Sequence, residues 1–166
     1  MQDKIRILGI DPGIQVTGIG IIDIDEQNRV SICHHDCVRT NRKKSLSYRL
    51  GQVYNALIDI ITKYKPDFVA VEDVFYSENI KTAIIMSHAR GVSLLASMNM
   101  GIEPAEYSPR EIKLSVVGQG GASKSQVQFM IQKILNCKEE IQQLDAADAI
   151  AVALCHYHRL NKHYPG

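Results

Sequence analysis

Nowhere in the 166 residues does a run approach 18 residues without a charge, so no segment is expected to cross a membrane as a helix. The opening Met-Gln-Asp-Lys-Ile-Arg lacks the long apolar core of a secretory signal, and the protein is expected in the cytoplasm. Cysteine is sparse as well: Cys33, Cys37, Cys137 and Cys155 are read as reduced, mostly core-packing residues of that compartment. Five prolines and eleven glycines are too few for a disordered or fibrous chain. Nor does charge of one sign dominate. Nineteen Lys and Arg against eighteen Asp and Glu leave +1, which neither announces nor excludes a nucleic-acid partner, because a local stripe matters more than the total. Two local clusters exist, Arg39, Arg42, Lys43, Lys44 and Arg49 in one, and Arg110, Lys113 and Lys124 in the other; such runs are commonly solvated surface. What is present is an ordinary globular composition, 45% apolar and 22% charged. The length suits one domain, expected over residues 1–160 with a short tail over 161–166, burying roughly 70% of its unfolded surface without disulfides or structural metal.

Hydrophobic period divides the chain into elements. Ile5, Ile7, Leu8 and Ile10 form a short apolar run suited to a central strand, ended by Pro12-Gly13. Val16 to Ile24 and Arg29 to Val38 continue as strands, broken by Asp25-Glu26-Gln27-Asn28. Ser45 to Tyr64 changes to helical spacing through Leu46, Leu50, Val53, Leu57, Ile60, Ile61 and Tyr64. Lys65-Pro66 stops that helix, and Phe68-Val69-Ala70-Val71 resumes a buried strand ending in Glu72. A helix from about Asn79 to Met98 carries two apolar stripes, more than one sheet face can bury, which suggests either a second subunit or an intrachain helix against it. A short strand near Ile102 to Glu106 follows. Ser108-Pro109-Arg110-Glu111 and Ser123-Lys124-Ser125-Gln126 each read as a capping box that starts a helix. The last helix is expected from near Asp145 to His158, with an unstructured tail beyond. Three meandering strands followed by strand-helix alternation imply an α/β fold, a five-stranded mixed sheet flanked by helices. A right-handed crossover sets the fourth strand parallel to the first.

The charges that such a scaffold should avoid carry the chemistry. Asp11 ends the first strand, at the edge where open α/β sheets bind ligands; it reads equally as an Asx-type turn residue bonding its own backbone. If the first and fourth strands are neighbours, Glu72 shares that edge. Asp145 and Asp148, three residues apart, project from one face of a helix that is otherwise nearly all apolar, roughly 5 to 6 Å apart. Asp145 also makes a good N-cap. Four carboxylates brought together would repel, and a divalent cation removes the conflict. All-oxygen ligation suits Mg²⁺ or Mn²⁺, and ion pairs of that kind serve phosphodiester cleavage. Asp73 should face the other side of its strand. Cys33-His34-His35-Asp36-Cys37 looks zinc-like, but in a strand the two cysteines lie roughly 13 Å apart, too far to share an ion. Gly118 to Ser125 imitates a phosphate-binding P-loop, with Ser123 where its final Gly belongs and no strand directly before it. A Lys124 that starts a helix behind a glycine loop can still meet a phosphate, or simply be exposed.

Taken together, Ile7-Leu8-Gly9-Ile10-Asp11-Pro12-Gly13, Val71-Glu72-Asp73-Val74-Phe75, Ala89-Arg90-Gly91-Val92, Val116-Val117-Gly118 with Lys124-Ser125-Gln126-Val127, and Asp145-Ala146-Ala147-Asp148-Ala149 resemble the RuvC family of Holliday-junction resolvases, within the ribonuclease H-like superfamily. The resemblance spans residues 5 to about 158. It implies a Mg²⁺-dependent endonuclease, with two ions per site, that makes paired nicks in four-way DNA junctions as a homodimer. Asp11, Glu72, Asp145 and Asp148 would hold the metal, and Lys113 and Lys124 would act at the scissile phosphate. Phe75 or Tyr76 would stand beside the crossover, with Arg110 also on DNA. RuvA and RuvB are implied as partners. Asp73 replaces the Gln or Glu usual in relatives. Competing readings are a nuclease of RNA or hybrids on the same fold, a non-catalytic junction-binding module, and a sugar-kinase or actin-like ATPase, for whose two lobes the chain is too short.

Overall fold

The computed structural model describes residues 4–74, 79–137 and 141–163. Three strands open the chain, β1 (Lys4–Asp11), β2 (Val16–Asp25) and β3 (Val30–Arg39), followed by helix α1 (Leu46–Tyr64), strand β4 (Phe68–Glu72) and helix α2 (Ile80–Asn99). Strand β5 (Ala105–Tyr107) and helices α3 (Pro109–Val117), α4 (Lys124–Ile134) and α5 (Leu144–His163) complete it. The strands form one sheet in the order β3-β2-β1-β4-β5. β1 pairs antiparallel with β2, and β2 with β3. β4 lies parallel to β1 and β5 parallel to β4. The expected mixed sheet and parallel crossover are both present.

Period two assigns each strand residue to a layer. Leu8, Ile10, Ile19, Ile21, Val69 and Val71 face one side, where they pack with Val53, Leu57 and Ile61 of α1 and Ala96 of α2. Ile7, Ile22, Ile24 and Ala70 face the other, against α5, with α3 and α4 behind it. Residues 7, 9 and 11 of β1 and 70 and 72 of β4 therefore look toward α5. Ile150 and Leu154 on that helix are fully buried, each contributing about 2 kcal/mol by area.

Helix α5 lies unusually close to the sheet, for a reason visible in side-chain size. Gly9 pairs with Gly20, and Gly18 with Asp11, across β1 and β2. A Cβ on Gly9 would stand 2.0 Å from the Ala149 carbonyl oxygen, and one on Gly18 would stand 1.9 Å from that of Asp145. The bare strip accepts a helix whose own facing residues, Ala146, Ala149 and Ala153, are small and buried. This close approach sets where the first turn of α5 sits.

The capping boxes form as expected: Ser108 accepts from the Glu111 backbone N–H and Ser123 from that of Gln126, and the Glu111 and Gln126 side chains accept in return. Other boundaries differ. Helix α5 begins at Leu144, with the Ala147 N–H donating to the Gln143 carbonyl at 3.0 Å. Asp145 is thus a first-turn residue, not the N-cap. The helix also runs to His163, past the 158 expected, and β5 begins at Ala105, later than the expected 102. Strand β3 holds a register shift opposite Ile21 and Ile22 that leaves Cys33 outside the pairing. Cys33 consequently packs with the α1 layer and Cys37 with the α5 layer, which turns the two thiols to opposite faces and disposes of a shared ion. Gly118 caps α3 in the left-handed region, φ 84°, and helix, not strand, precedes the glycine loop, so no P-loop forms.

One buried polar pair links β5 to α5. The Tyr107 hydroxyl and His156 Nδ1 are 2.7 Å apart, while His156 Nε2 is buried without a hydrogen-bond partner among the described residues. Burial lowers the His156 pKa from 6.5. The unfolded chain therefore takes up a proton first, so the histidine's contribution to stability is complete above about pH 6.5 and is lost as pH falls below it. Replacing His156 with Gln should flatten the decline in melting temperature between pH 7 and 5; an unchanged decline would show that other groups cause it.

Candidate active site

At the lower end of β1 and β2, charges are matched in pairs. Arg6 Nε lies 2.6 Å from Asp23 Oδ1, and Lys4 Nζ lies 2.6 Å from Asp23 Oδ2. Burial alone would raise the Asp23 pKa, but hydrogen bonds from Arg6 and Lys4 bring it below its ordinary value. The opposite end, where β1 and β4 finish, is arranged the other way.

There Asp11 and Glu72 end adjacent parallel strands on the α5 side of the sheet. Asp145 and Asp148 come down from the first turn of α5. All four line one pocket of about 490 Å³ together with Lys113 and Lys124. Burial, then the Glu72 charge and a side-chain hydrogen bond with Glu72, pushes the Asp11 carboxyl up to about 9. Burial raises Glu72 and Asp148 too, against the pull of the nearby lysines. Lys124 Nζ lies 3.3 Å from Asp148 Oδ2, and Asp148 raises its pKa. The Lys124 side chain is 78% exposed, so the pair contributes little to stability and leaves the ammonium free to swing to another anion.

The turn that carries Asp11 is braced from behind. Thr17, fully buried, donates to the Gly13 carbonyl at 2.7 Å. Arg49 donates to the Ile14 carbonyl at 3.0 Å and to Thr40 Oγ1 at 2.8 Å. Helical periodicity had no means of indicating this role for Arg49, because it depends on the first turn of α1 meeting a turn 35 residues away.

Of the remaining expected residues, Asp73 departs from strand alternation: β4 ends at Glu72, so Asp73 lies beyond the strand and also lines the acidic pocket, with Arg90 of α2 3.0 Å away. Arg90 also pairs with Glu106. The Nε of Arg90 is close enough to Asp73 for an ion pair but is not aligned for a hydrogen bond, and the charge interaction is the better description. Arg110 is exposed and stays outside the pocket, its stem lying over Gly120. Phe75 and Tyr76 lie outside the described residues. Met86 also lines the pocket; its place in an apolar helix carries no signal of that role.

The oxygen-only donor set suits a hard divalent cation. Among the described residues, no three His, Cys, Asp or Glu side chains stand ready in ligating geometry. Raised carboxylate pKa values in one pocket are the mark of a site whose anionic form is incomplete without positive charge.

Acids at parallel strand tips in this sheet order define a ribonuclease H-like nuclease. The family model for crossover junction endodeoxyribonuclease RuvC matches residues 7–156. Crossover junction endodeoxyribonuclease RuvC of Desulforamulus reducens is 45% identical over 150 residues, 90% of this chain and 91% of that protein. That of Syntrophomonas wolfei is 45% identical over 153 residues, 92% and 88% of the two chains. Thermus thermophilus RuvC in complex with Holliday junction substrate superposes with a TM-score of 0.89 at 28% identity, over 96% of each chain. The yeast mitochondrial Holliday junction resolvase shares the fold, with a TM-score of 0.64 at 18% identity. The chain belongs to the RuvC family, and membership brings a divalent metal ion as cofactor.

Proposed function

We propose that the chain is a Holliday junction resolvase that cuts DNA strands at four-way junctions, with Mg²⁺ as its usual ion, two per site, and Mn²⁺ as a substitute. The observation that carries this reading is the convergence of two strand-end acids and the α5 aspartate pair on a pocket flanked by Lys113 and Lys124. When bound, the divalent cations lower the pKa of an attacking water and offset charge on the leaving oxygen. The chain's own part is to hold and exchange charge. Asp11 and Glu72, with Asp145 and Asp148, would hold the cations through their carboxylate oxygens. Lys124 moves from Asp148 to the phosphate and neutralises charge developing there, while Lys113 orients the same group. In-line attack leaves 5′-phosphate and 3′-hydroxyl ends.

Lys124→Ala should slow single-turnover cleavage by roughly 10²-fold, the usual loss of one charge-stabilising group, while junction affinity falls only slightly; Lys124→Arg should restore part of the rate. Unaltered cleavage by the alanine variant would remove Lys124 from the chemistry.

Paired cuts need two sites, and α2 supports a homodimer. Ile80, Ile84, Leu95 and Met98 are each more than half exposed (64, 53, 54 and 54%), whereas Ala89 and Ala96 of the second apolar stripe are buried, Ala96 in the layer that holds α1. A contiguous exposed apolar face of this kind is one that association covers. Phe75 or Tyr76 would stand at the crossover, Arg110 would meet the DNA backbone outside the pocket, and RuvA and RuvB would be partners in the cytoplasm. No described helix is long and apolar enough to span a membrane. The substrate class is tested by a panel of four-way junction, linear duplex and RNA–DNA hybrid with Mg²⁺. Preferential cleavage of the junction is expected; preferential cleavage of the hybrid would favour the alternative ribonuclease reading.

A further inference from the structure

Charge is distributed unevenly in this nearly neutral chain. Arg39, Arg42, Lys43, Lys44 and Arg49 put five cations into eleven residues that contain no acid, and removing them from the nineteen Lys and Arg leaves fourteen against eighteen acids. Elsewhere, Lys4, Arg6, Arg29, Arg90, Lys124 and Arg159 are paired with carboxylates, but none of these five forms an ion pair among the described residues. Arg39, Arg42, Lys43 and Lys44 are exposed. So concentrated a positive surface, with no internal counter-charge, is complementary to a polyanion.

The segment is also held in place. Lys43 N–H donates to Asn41 Oδ1 at 2.9 Å and Lys44 N–H to the Asn41 carbonyl at 3.0 Å, forming a tight turn. Thr40 N–H donates to the Gln15 carbonyl at 3.1 Å, and the Thr40 hydroxyl to that of Ile14 at 2.5 Å. Arg42 reaches the Gln15 side chain. The cations are therefore mounted on the backbone that follows the Asp11 turn. A second cavity of about 570 Å³, with Arg49 and Gln15 in its wall, shares Gly13, Val16, Met86 and Asp145 with the acidic pocket. The basic turn thus joins the site of the acids through Arg49 and through Gln15, which Arg42 contacts.

We propose that the turn from Arg39 to Lys44 binds the phosphate backbone of one duplex arm of the junction, on the side where the strand leaves the acidic pocket past Gly13 to Val16. The proposal rests on the junction reading of the pocket. Its effect is positional: phosphates held on this ridge orient the arm, while the acids and Lys124 act on the scissile bond. Continuity with a phosphodiester pocket favours DNA over an anionic lipid surface, which would need no such connection.

The test compares wild type with the triple variant Arg42→Gln, Lys43→Gln, Lys44→Gln, leaving Arg49 intact because it braces the Asp11 turn. Binding to junctions with arms of about one and about two helical turns is measured in EDTA across a salt series, with equal melting temperatures as the folding control. For long arms, the triple variant should bind roughly tenfold more weakly. The slope of log K against log salt should be shallower by about two to three, near 0.9 for each phosphate that is no longer neutralised. Short-arm binding and the cleavage rate on saturated short-arm junctions should change little. Equal slopes and affinities for long arms would overturn the proposal, as would loss of binding to phosphatidylserine vesicles with junction binding unaffected. Wild type that neither binds nor cuts any junction would instead strike the activity reading, and this proposal with it.

Discussion

Asp11→Asn should abolish junction cleavage, a fall of roughly 10³-fold or more for an oxygen that serves both cation and water, yet leave the metal-free protein more stable than wild type at neutral pH. The two effects have one cause. Burial and the Glu72 charge push the Asp11 carboxyl up to about 9, against about 3.9 in an unfolded chain. Between those values the folded protein holds a proton that the unfolded chain has released. Its contribution is fully present below about pH 4 and declines as pH rises toward 9. Asparagine has no charge to suppress and still carries N–H groups to offer Glu72. The gain in melting temperature in EDTA should accordingly grow from pH 5 to pH 8, and shrink when Mg²⁺ is added to wild type. A variant that is equally inactive but less stable at pH 8 would mean that Asp11 serves the fold more than the site. Junction binding measured in EDTA should survive the substitution.

Gly18→Ala should cost more activity than its single methyl suggests. That methyl would stand 1.9 Å from the Asp145 carbonyl oxygen and 2.5 Å from its carbon, and backbone at the start of a buried helix cannot rotate aside. The first turn of α5 must move by more than an ångström, carrying Asp145 and Asp148 with it. Overpacking of this kind costs about 1–3 kcal/mol, and a displacement of about 1 Å at reacting groups can cost roughly 10²-fold in rate. Cleavage should fall by about that factor in protein that remains folded, measured beside Gly51→Ala, where the added methyl meets nothing within 4 Å and helix propensity favours alanine by up to about 1 kcal/mol. Equal rates for the two variants would show that α5 placement does not govern the acids.

Much of this arrangement was legible in the residues because it depends on local period. Alternation along β1 and β4 puts Asp11 and Glu72 on one face, and the spacing of Asp145 and Asp148 makes them neighbours on a helix; Asp73, one residue past the end of β4, escapes that alternation and lines the pocket as well. The capping boxes were readable because each satisfies its own helix end. What escaped depended on segments distant in sequence. The need for glycine at 9, 18 and 20 comes from the α5 backbone that lies over them, a contact between segments more than 120 residues apart. Asp145 had the chemistry of an N-cap, but α5 starts at Leu144, two residues earlier than that cap would place it, and the Asp145 carboxylate lines the pocket from the first turn. The extra residue in β3 reversed the facing of Cys33 relative to Cys37, a change that no count along a regular strand contains. The brace from Arg49 to Ile14 joins two segments that become neighbours only when the sheet has formed.

The central claim, that this acid cluster cuts junctions through bound divalent cations, is tested most directly by single-turnover cleavage of an end-labelled four-way junction across a Mg²⁺ titration, with EDTA as its zero point. The account predicts intact junctions in EDTA, a saturable rise of two symmetric nicks with added Mg²⁺, and 5′-phosphate at each cut. Cleavage undiminished in EDTA, or junctions left whole at every Mg²⁺ concentration, would contradict it.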